Sequence, residues 1–397
     1  MQPAKTFAQI ESRYFWLLVA LGALLSGIGL YSAYYMEEHG HVVTGMNNQI
    51  VWGMPHVFAI FMIVAASGVL NVASVGSVFK KEVYKARAPL AGLLSIALLA
   101  GGLSVLMLDL GRPDRVIVAA TNYNATSVFA WNVLLYTGLF ALVAVYLWTL
   151  MEKRMNPWSK PMGLVVFAWR IILTTGTGLI FAFLVARQAY ASAVLPPMFI
   201  IMSFAWGLAV FLIVQSVMFS WNELKLNPAI QKRMRNLLGL FVVSALYLVA
   251  TYHLTNLYFA KQMAFERFIL LDGGIYPWLF WGGYVVVGSA LPLLLIFAPG
   301  LGNTVHVLVA SALTLLGAFS LLYVFIIGGQ AYPLSIFPGY EVVSSSFGDG
   351  RVASYHPSFP EILLGSGGLA IAFLITTIGV RALNFLPHDD PKAAHQD

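Results

Sequence analysis

Ten stretches of about twenty or more apolar residues succeed one another along this 397-residue chain, and that repetition leaves few folds open. A helix needs about 20 predominantly apolar residues to cross the hydrocarbon core of a bilayer. Inside lipid every backbone amide must find its partner within the protein, so segments of this length are helices. The expected spans are 14–36, 51–78, 88–109, 126–150, 162–187, 195–220, 236–258, 276–298, 303–328 and 361–384. The chain is 59% hydrophobic and 10% charged, whereas a soluble domain is about one-quarter charged. This predicts one all-α integral membrane domain over residues 1–397, a bundle of ten transmembrane helices with no soluble domain. The first span is too long for a cleaved signal peptide and lacks the small-residue cleavage pattern.

The net charge of +6 is a topology signal, and no nucleic-acid partner is expected from it. Lys and Arg fall fifteen to six between the two sets of alternating connections, with Arg170 alone inside a span. The richer set includes both termini, which the positive-inside rule places in the cytoplasm of a multi-pass protein of the cell (inner) membrane. The longest connection, Gly329 to Pro360, then lies on the outer face. Its Pro, Gly, Ser and aromatic content suits a docking surface or lid. There is no cysteine, so cysteine-ligated iron–sulfur clusters, CxxCH haem attachment, disulfides and thiol nucleophiles are excluded from this chain.

Ionisable groups at membrane depth are expensive and mark function. Here they gather toward the outer ends of the spans. His56 lies five residues into the second span, about 8 Å below its boundary. His253 sits at comparable depth in the seventh span, Asp109 closes the third, Arg187 and Gln188 end the fifth, and Gln330 ends the ninth. The other half holds only Arg170, Gln215 and His306, the last read as packing. A carboxylate at a helix C-terminus opposes the helix dipole and needs a partner. For Asp109 that partner is a local ion pair with Arg112, or the acid handles protons or anchors a ligand head group; the readings are compatible. His56 and His253 are either interfacial histidines satisfied by nearby carbonyls, or imidazoles that exchange protons with a ligand near neutral pH. Their matched depth also fits a bis-histidine haem. The second ligand pair of a diheme cytochrome is missing, however, because only His306 remains.

The run Trp52 to His56, Asp109-Leu-Gly-Arg-Pro113, Asn124 to Trp131, Arg187 with Tyr190 and Ser192, and Gly328-Gly329-Gln330 resemble the NrfD/polysulfide-reductase membrane-subunit family along nearly the whole chain. Within it, the segment Met46 to His56 looks most like the P-subunit branch of the transmembrane Dsr sulfur-metabolism complex. The resemblance implies a subunit without haem or cluster of its own that binds menaquinone or ubiquinone as substrate near the outer face. It implies docking of an extracytoplasmic ferredoxin-like iron–sulfur subunit. In a Dsr-type complex the further partners are a multihaem cytochrome c, a membrane cytochrome b and a cytoplasmic iron–sulfur subunit. His56 falls where related subunits have a pocket histidine contacting quinone, and Asp109 where they have an acid near the pocket. Three positions depart from the pattern. Gly53 stands where a pocket asparagine is expected, Gly176 and Thr177 offer no pocket tyrosine, and Leu322-Tyr323 stands where many members carry an arginine.

The expected function is thus a quinone-reactive membrane anchor of a redox complex, not catalytic alone. His56 and Asp109 would exchange protons with the quinone. Trp52, Arg112, Arg187, Gln188, His253 and Gln330 would complete its binding site. Two readings from other classes compete: a secondary transporter with a polar outer-face site, and a structural anchor with a degenerate site. Against the transporter, the sequence shows no inverted repeat and no paired broken helices.

Overall fold

The computed structural model describes residues 13–77, 82–221, 226–334, 350–383 and 385. Lys5, Lys80, Lys81, Lys225, Lys392 and residues 335–349 of the long loop lie outside them. Among the described residues there are ten helices long and apolar enough to cross a membrane, and no strand. They are α1 (Arg13–His39), α2 (Met54–Ser77), α3 (Ala88–Leu108), α4 (Val128–Met151), α5 (Ser159–Ala182), α6 (Leu195–Trp221), α7 (Pro228–Tyr258), α8 (Ile275–Phe297), α9 (Thr304–Ala331) and α10 (Phe359–Leu383).

α2 is the central element. From Ala59 to Ser74 every side chain is buried, which a helix surrounded by α3, α5, α6 and α10 requires. The approach of α6 is close because Gly68 and Gly207 face each other, and a Cβ on either would collide with the opposite backbone. Membrane helices use small residues in this way, since dispersion contacts grow as backbones near each other. α4 packs on α5, α6 on α7 and α9, and α8 on α9. α1 and α10 pair through Gly29 and Gly367 and flank α2 and α3.

Two departures from the expected spans shape the site. The fifth helix stops at Ala182, not near Arg187, and residues 183–194 form a chain of turns. The cause is Arg187, whose guanidinium donates to the Gln330 carbonyl at 3.0 Å and the Gln49 carbonyl at 2.7 Å, pulling the chain across the bundle end. The ninth span widens to π geometry over Tyr323–Gly328. Such a turn frees carbonyls for other donors and often lies at functional sites. Here the Ile326 carbonyl accepts from the Tyr190 hydroxyl at 2.8 Å and from the Gln330 amide at 2.9 Å. In the opposite half, Arg170 is buried and donates to Asn71 and Ser67, while Arg87 donates to Gln215 at 2.8 Å.

Candidate functional site

The sequence Trp52-Gly-Met-Pro-His starts α2, with Pro55 at the second helical position, where its missing N–H costs nothing. This start aims His56 at the end of α3. His56 Nδ1 lies 2.8 Å from Asp109 Oδ2. The two side chains are in close contact at an angle that is not that of an in-line hydrogen bond, and among the described residues neither carboxylate oxygen has a hydrogen-bond donor. Asp109 is 6% exposed, and the His56 ring is the ionisable group set against its carboxyl. The expected ion pair between Asp109 and Arg112 is absent. Arg112 turns to solvent and pairs with Asp114 at 3.1 Å, both side chains being more than half exposed. Gly111 has φ +67°, which turns the chain away from the helix axis and separates Arg112 from the helix end. The hydrogen-bonded guanidinium holds the Asp114 carboxyl below its ordinary range.

Beside His56 opens a cavity of about 570 Å³, the size of a small-molecule site. Its walls come from Trp52, His56 and Ile60, from Leu103 and Met107 of α3, from the face of α4 carrying Phe129, Ala130, Asn132, Val133 and Tyr136, and from Ile180, Phe181 and Ile326. The indole of Trp52 stacks on the His56 ring at 5.7 Å and meets Phe181 edge-on at 5.6 Å. On the walls that α3 and α4 supply, Met107, Phe129 and Val133 are 45%, 47% and 52% exposed.

Gln330 does not line this cavity but holds its wall. Its Oε1 accepts from the Val51 and Trp52 amides at 3.0 and 3.1 Å, and its Nε2 donates to the Trp52 carbonyl at 2.9 Å. Arg187 stands one step further back on the same loop. Its burial lowers the guanidinium pKa, and it bonds only backbone carbonyls. Gln188 also lies off the cavity, with its carbonyl accepting from Gln262 at 3.3 Å.

His253 belongs to a separate polar centre. Its Nδ1 lies 2.6 Å from Glu266 Oε2, whose other oxygen accepts from Asn256 at 2.7 Å. Phe181, Phe199 and Phe325, with ring centroids 5.0–5.9 Å apart, stand between this centre and the first cavity. Each histidine is thus committed to its own carboxylate, and the two do not form a facing pair.

The departures from the family pattern have steric reasons. A Cβ on Gly53 would strike the Glu361 carboxylate and come within 2.8 Å of the Tyr355 hydroxyl. Tyr355 donates to Glu361 at 2.7 Å and receives the Met54 amide at 2.6 Å, so no larger residue fits at position 53. At Thr177 the neighbouring helix supplies a phenol: the Tyr136 hydroxyl lies 3.3 Å from Thr177 Oγ1 and Tyr136 lines the cavity. Asn132, Tyr136 and the buried acids Glu266 and Glu361 were not singled out in the sequence. For the first two the signal is there: an i, i+4 polar pair on one face of an otherwise apolar span.

The family described as "Polysulphide reductase, NrfD" matches residues 42–333, about three-quarters of the chain and the whole of this site. The chain belongs to the NrfD family. Its relatives include the "Hdr-like menaquinol oxidoreductase integral membrane subunit" of Archaeoglobus fulgidus, 28% identical over 390 residues and 97% of both chains. A putative dimethyl sulfoxide reductase membrane subunit of Halobacterium salinarum is 28% identical over 96% of this chain and 93% of its own. A selenate reductase subunit of Mesobacillus selenatarsenatis is 21% identical over 94% of each. This NrfD protein is therefore similar along nearly its full length to oxidoreductase subunits, two of them named as membrane subunits.

Proposed function

We propose that this NrfD protein is the quinone-reactive membrane subunit of a redox complex, exchanging electrons between the membrane quinone pool and a docked partner that carries the redox centres. One observation carries the reading. An apolar cavity of small-molecule size, with exposed residues of α3 and α4 in its walls, ends at an imidazole backed by a buried carboxylate. Quinone chemistry moves two electrons and two protons, so the protein must supply proton acceptors at the head group. His56 sits in the wall as the direct proton partner, and Asp109 behind it steadies the imidazolium that results. Trp52 gives a flat aromatic face for a ring. The name of the A. fulgidus relative supports a menaquinol-type ligand, and all three names support assembly with other subunits.

In this reading Arg112, Arg187, Gln188, His253 and Gln330 act away from the head group. Arg187 and Gln330 fix the Trp52 loop, and Arg112 lies on the surface at the same end. The charge distribution supports an extracytoplasmic site, with an iron–sulfur subunit of ferredoxin type as the docked electron acceptor or donor. The likeness of Met46–His56 to the Dsr P-subunit branch supports a complex of sulfur metabolism. The test is His56→Ala in the assembled complex. Quinol-linked electron transfer should fall at least a hundredfold, the scale of a positioned proton carrier, while co-purification of the partners is unchanged. Wild-type turnover in that variant removes His56 from the chemistry.

A further inference from the structure

Arg170 is the one Lys or Arg of the chain set in the middle of a span, about 17 Å along α5 from Ser159. It is 1% exposed. Its guanidinium donates to Asn71 Oδ1 at 2.5 Å and to the Ser67 carbonyl at 3.5 Å. The Phe167 and Phe204 rings lie 4.9 and 5.4 Å from its centre, and Nε has no acceptor among the described residues. No Asp or Glu lies more than one turn inside any span, so the charge has no counter-ion at its depth. A buried cation without an acid is costly. Helix packing alone does not call for one, since a methionine would fill the same space.

From the quinone cavity a line of buried hydroxyls leads toward it. Tyr136 in the cavity wall has its hydroxyl 3.3 Å from Thr177 Oγ1. One turn further along α5, Thr174 Oγ1 lies 2.6 Å from Ser67 Oγ, and both hydroxyls reach the Arg170 carbonyl, at 2.8 and 3.2 Å. Ser67, Thr174 and Thr177 are each 1% exposed or less. A hydroxyl donates and accepts at once, so such a line suits a stepping proton. It ends on the guanidinium. Beyond, toward the end of the bundle opposite His56, Arg87 is equally buried and donates to Gln215 at 2.8 Å.

We propose, taking the quinone assignment as the source of the protons, that Arg170 is an electrostatic plug. It closes the hydroxyl line, so protons exchanged at the cavity pass only through its His56 side. A guanidinium stays charged across the physiological pH range. A proton arriving on Ser67 or Thr174 meets that charge in a low-dielectric interior, where like charges repel most strongly. Fixed arginines keep protons and cations out of pores on the same ground.

The experiment is passive proton conductance of the full chain in proteoliposomes, read by trapped pyranine under a valinomycin-set potassium diffusion potential. The wild type should conduct no more than protein-free vesicles. Arg170→Met should raise the conductance about tenfold or more, a small part of the barrier that a neighbouring unit charge sets. Arg170→Gln, which keeps a donor for Asn71, serves as the neutral variant where methionine does not fold. Arg170→Lys keeps the charge and should stay tight. Adding Thr174→Val to the neutral variant cuts the line and should close it again. A conducting wild type, a tight neutral variant, or a lysine variant that leaks as the neutral one does overturns the plug. The wild-type measurement stands even where neither neutral variant folds. No quinone enters this assay, so the plug and the quinone assignment fail separately, the latter being decided by turnover in His56→Ala.

Discussion

Gln330→Leu tests whether the cavity wall depends on a clamp delivered from another helix. The glutamine side chain is buried at 1% exposure and makes four hydrogen bonds, two accepted from Val51 and Trp52 and two donated to Trp52 and Ile326. Leucine has nearly the same volume but no polar atom, so packing survives and the hydrogen bonds do not. The Ile326 carbonyl keeps its Tyr190 partner, but the N–H of Val51 and both the N–H and the C=O of Trp52 lose theirs. An unsatisfied buried group costs about 1–3 kcal/mol. Three of them give about 3–9 kcal/mol, and the lower end applies because this loop can turn toward the head-group region and rehydrate. The chain should therefore still fold, with a reduced melting temperature and with Trp52 released from its stack on His56. In a reconstituted complex, quinol KM should rise about tenfold while kcat changes less, since the wall and not the proton acceptor is lost. A lowered melting temperature with unchanged KM would show that the clamp serves stability alone and refute the argument.

Four further outcomes follow from the same geometry. Ala130→Phe places a ring inside the cavity and should abolish quinol-linked turnover without loss of partner proteins on purification. Glu266→Gln leaves His253 with a neutral partner behind the phenylalanine wall; it should lower thermal stability and leave quinol KM within about twofold in steady-state kinetics. Arg112→Ala removes an exposed pair and should leave both the melting temperature and quinol turnover unaltered. Burial, then the hydrogen bond to Glu361, raises the Tyr355 phenol above its ordinary pKa. The folded state therefore holds that proton more tightly than the unfolded one, so its contribution is complete below about pH 10 and declines above it. Melting curves should show this alkaline loss in the wild type and a smaller one in Tyr355→Phe.

Much of this fold was written in hydropathy. Ten apolar stretches became ten helices, because lipid leaves the backbone no other way to satisfy its amides. His56 and Asp109 were legible as two costly groups gathered toward the same end of the spans. Their pairing was not, because sequence proximity favoured Arg112, and only the left-handed Gly111 takes that arginine away. Arg187 and Gln330 carried the same polar signal as His56, yet their hydrogen bonds end on backbone carbonyls and amides that no side-chain pattern reveals. His253 looked equivalent to His56 by depth; Glu266, thirteen residues on in a connector, decided otherwise. Asn132 was hidden for the opposite reason, since one amide in a long apolar helix draws little notice until its oxygen proves unpaired.

The exposed apolar walls that α3 and α4 give the cavity suit a ligand entering from the bilayer, with a consequence for how substrate concentration should be counted. A ligand admitted sideways from the bilayer is drawn from a two-dimensional reservoir, and its isoprenoid tail can stay among the acyl chains throughout turnover. Shortening that tail should then raise KM when expressed per volume of water, through poorer partitioning, yet leave it almost unchanged as a mole fraction of lipid. The number of prenyl units becomes a property the membrane reads and the protein ignores.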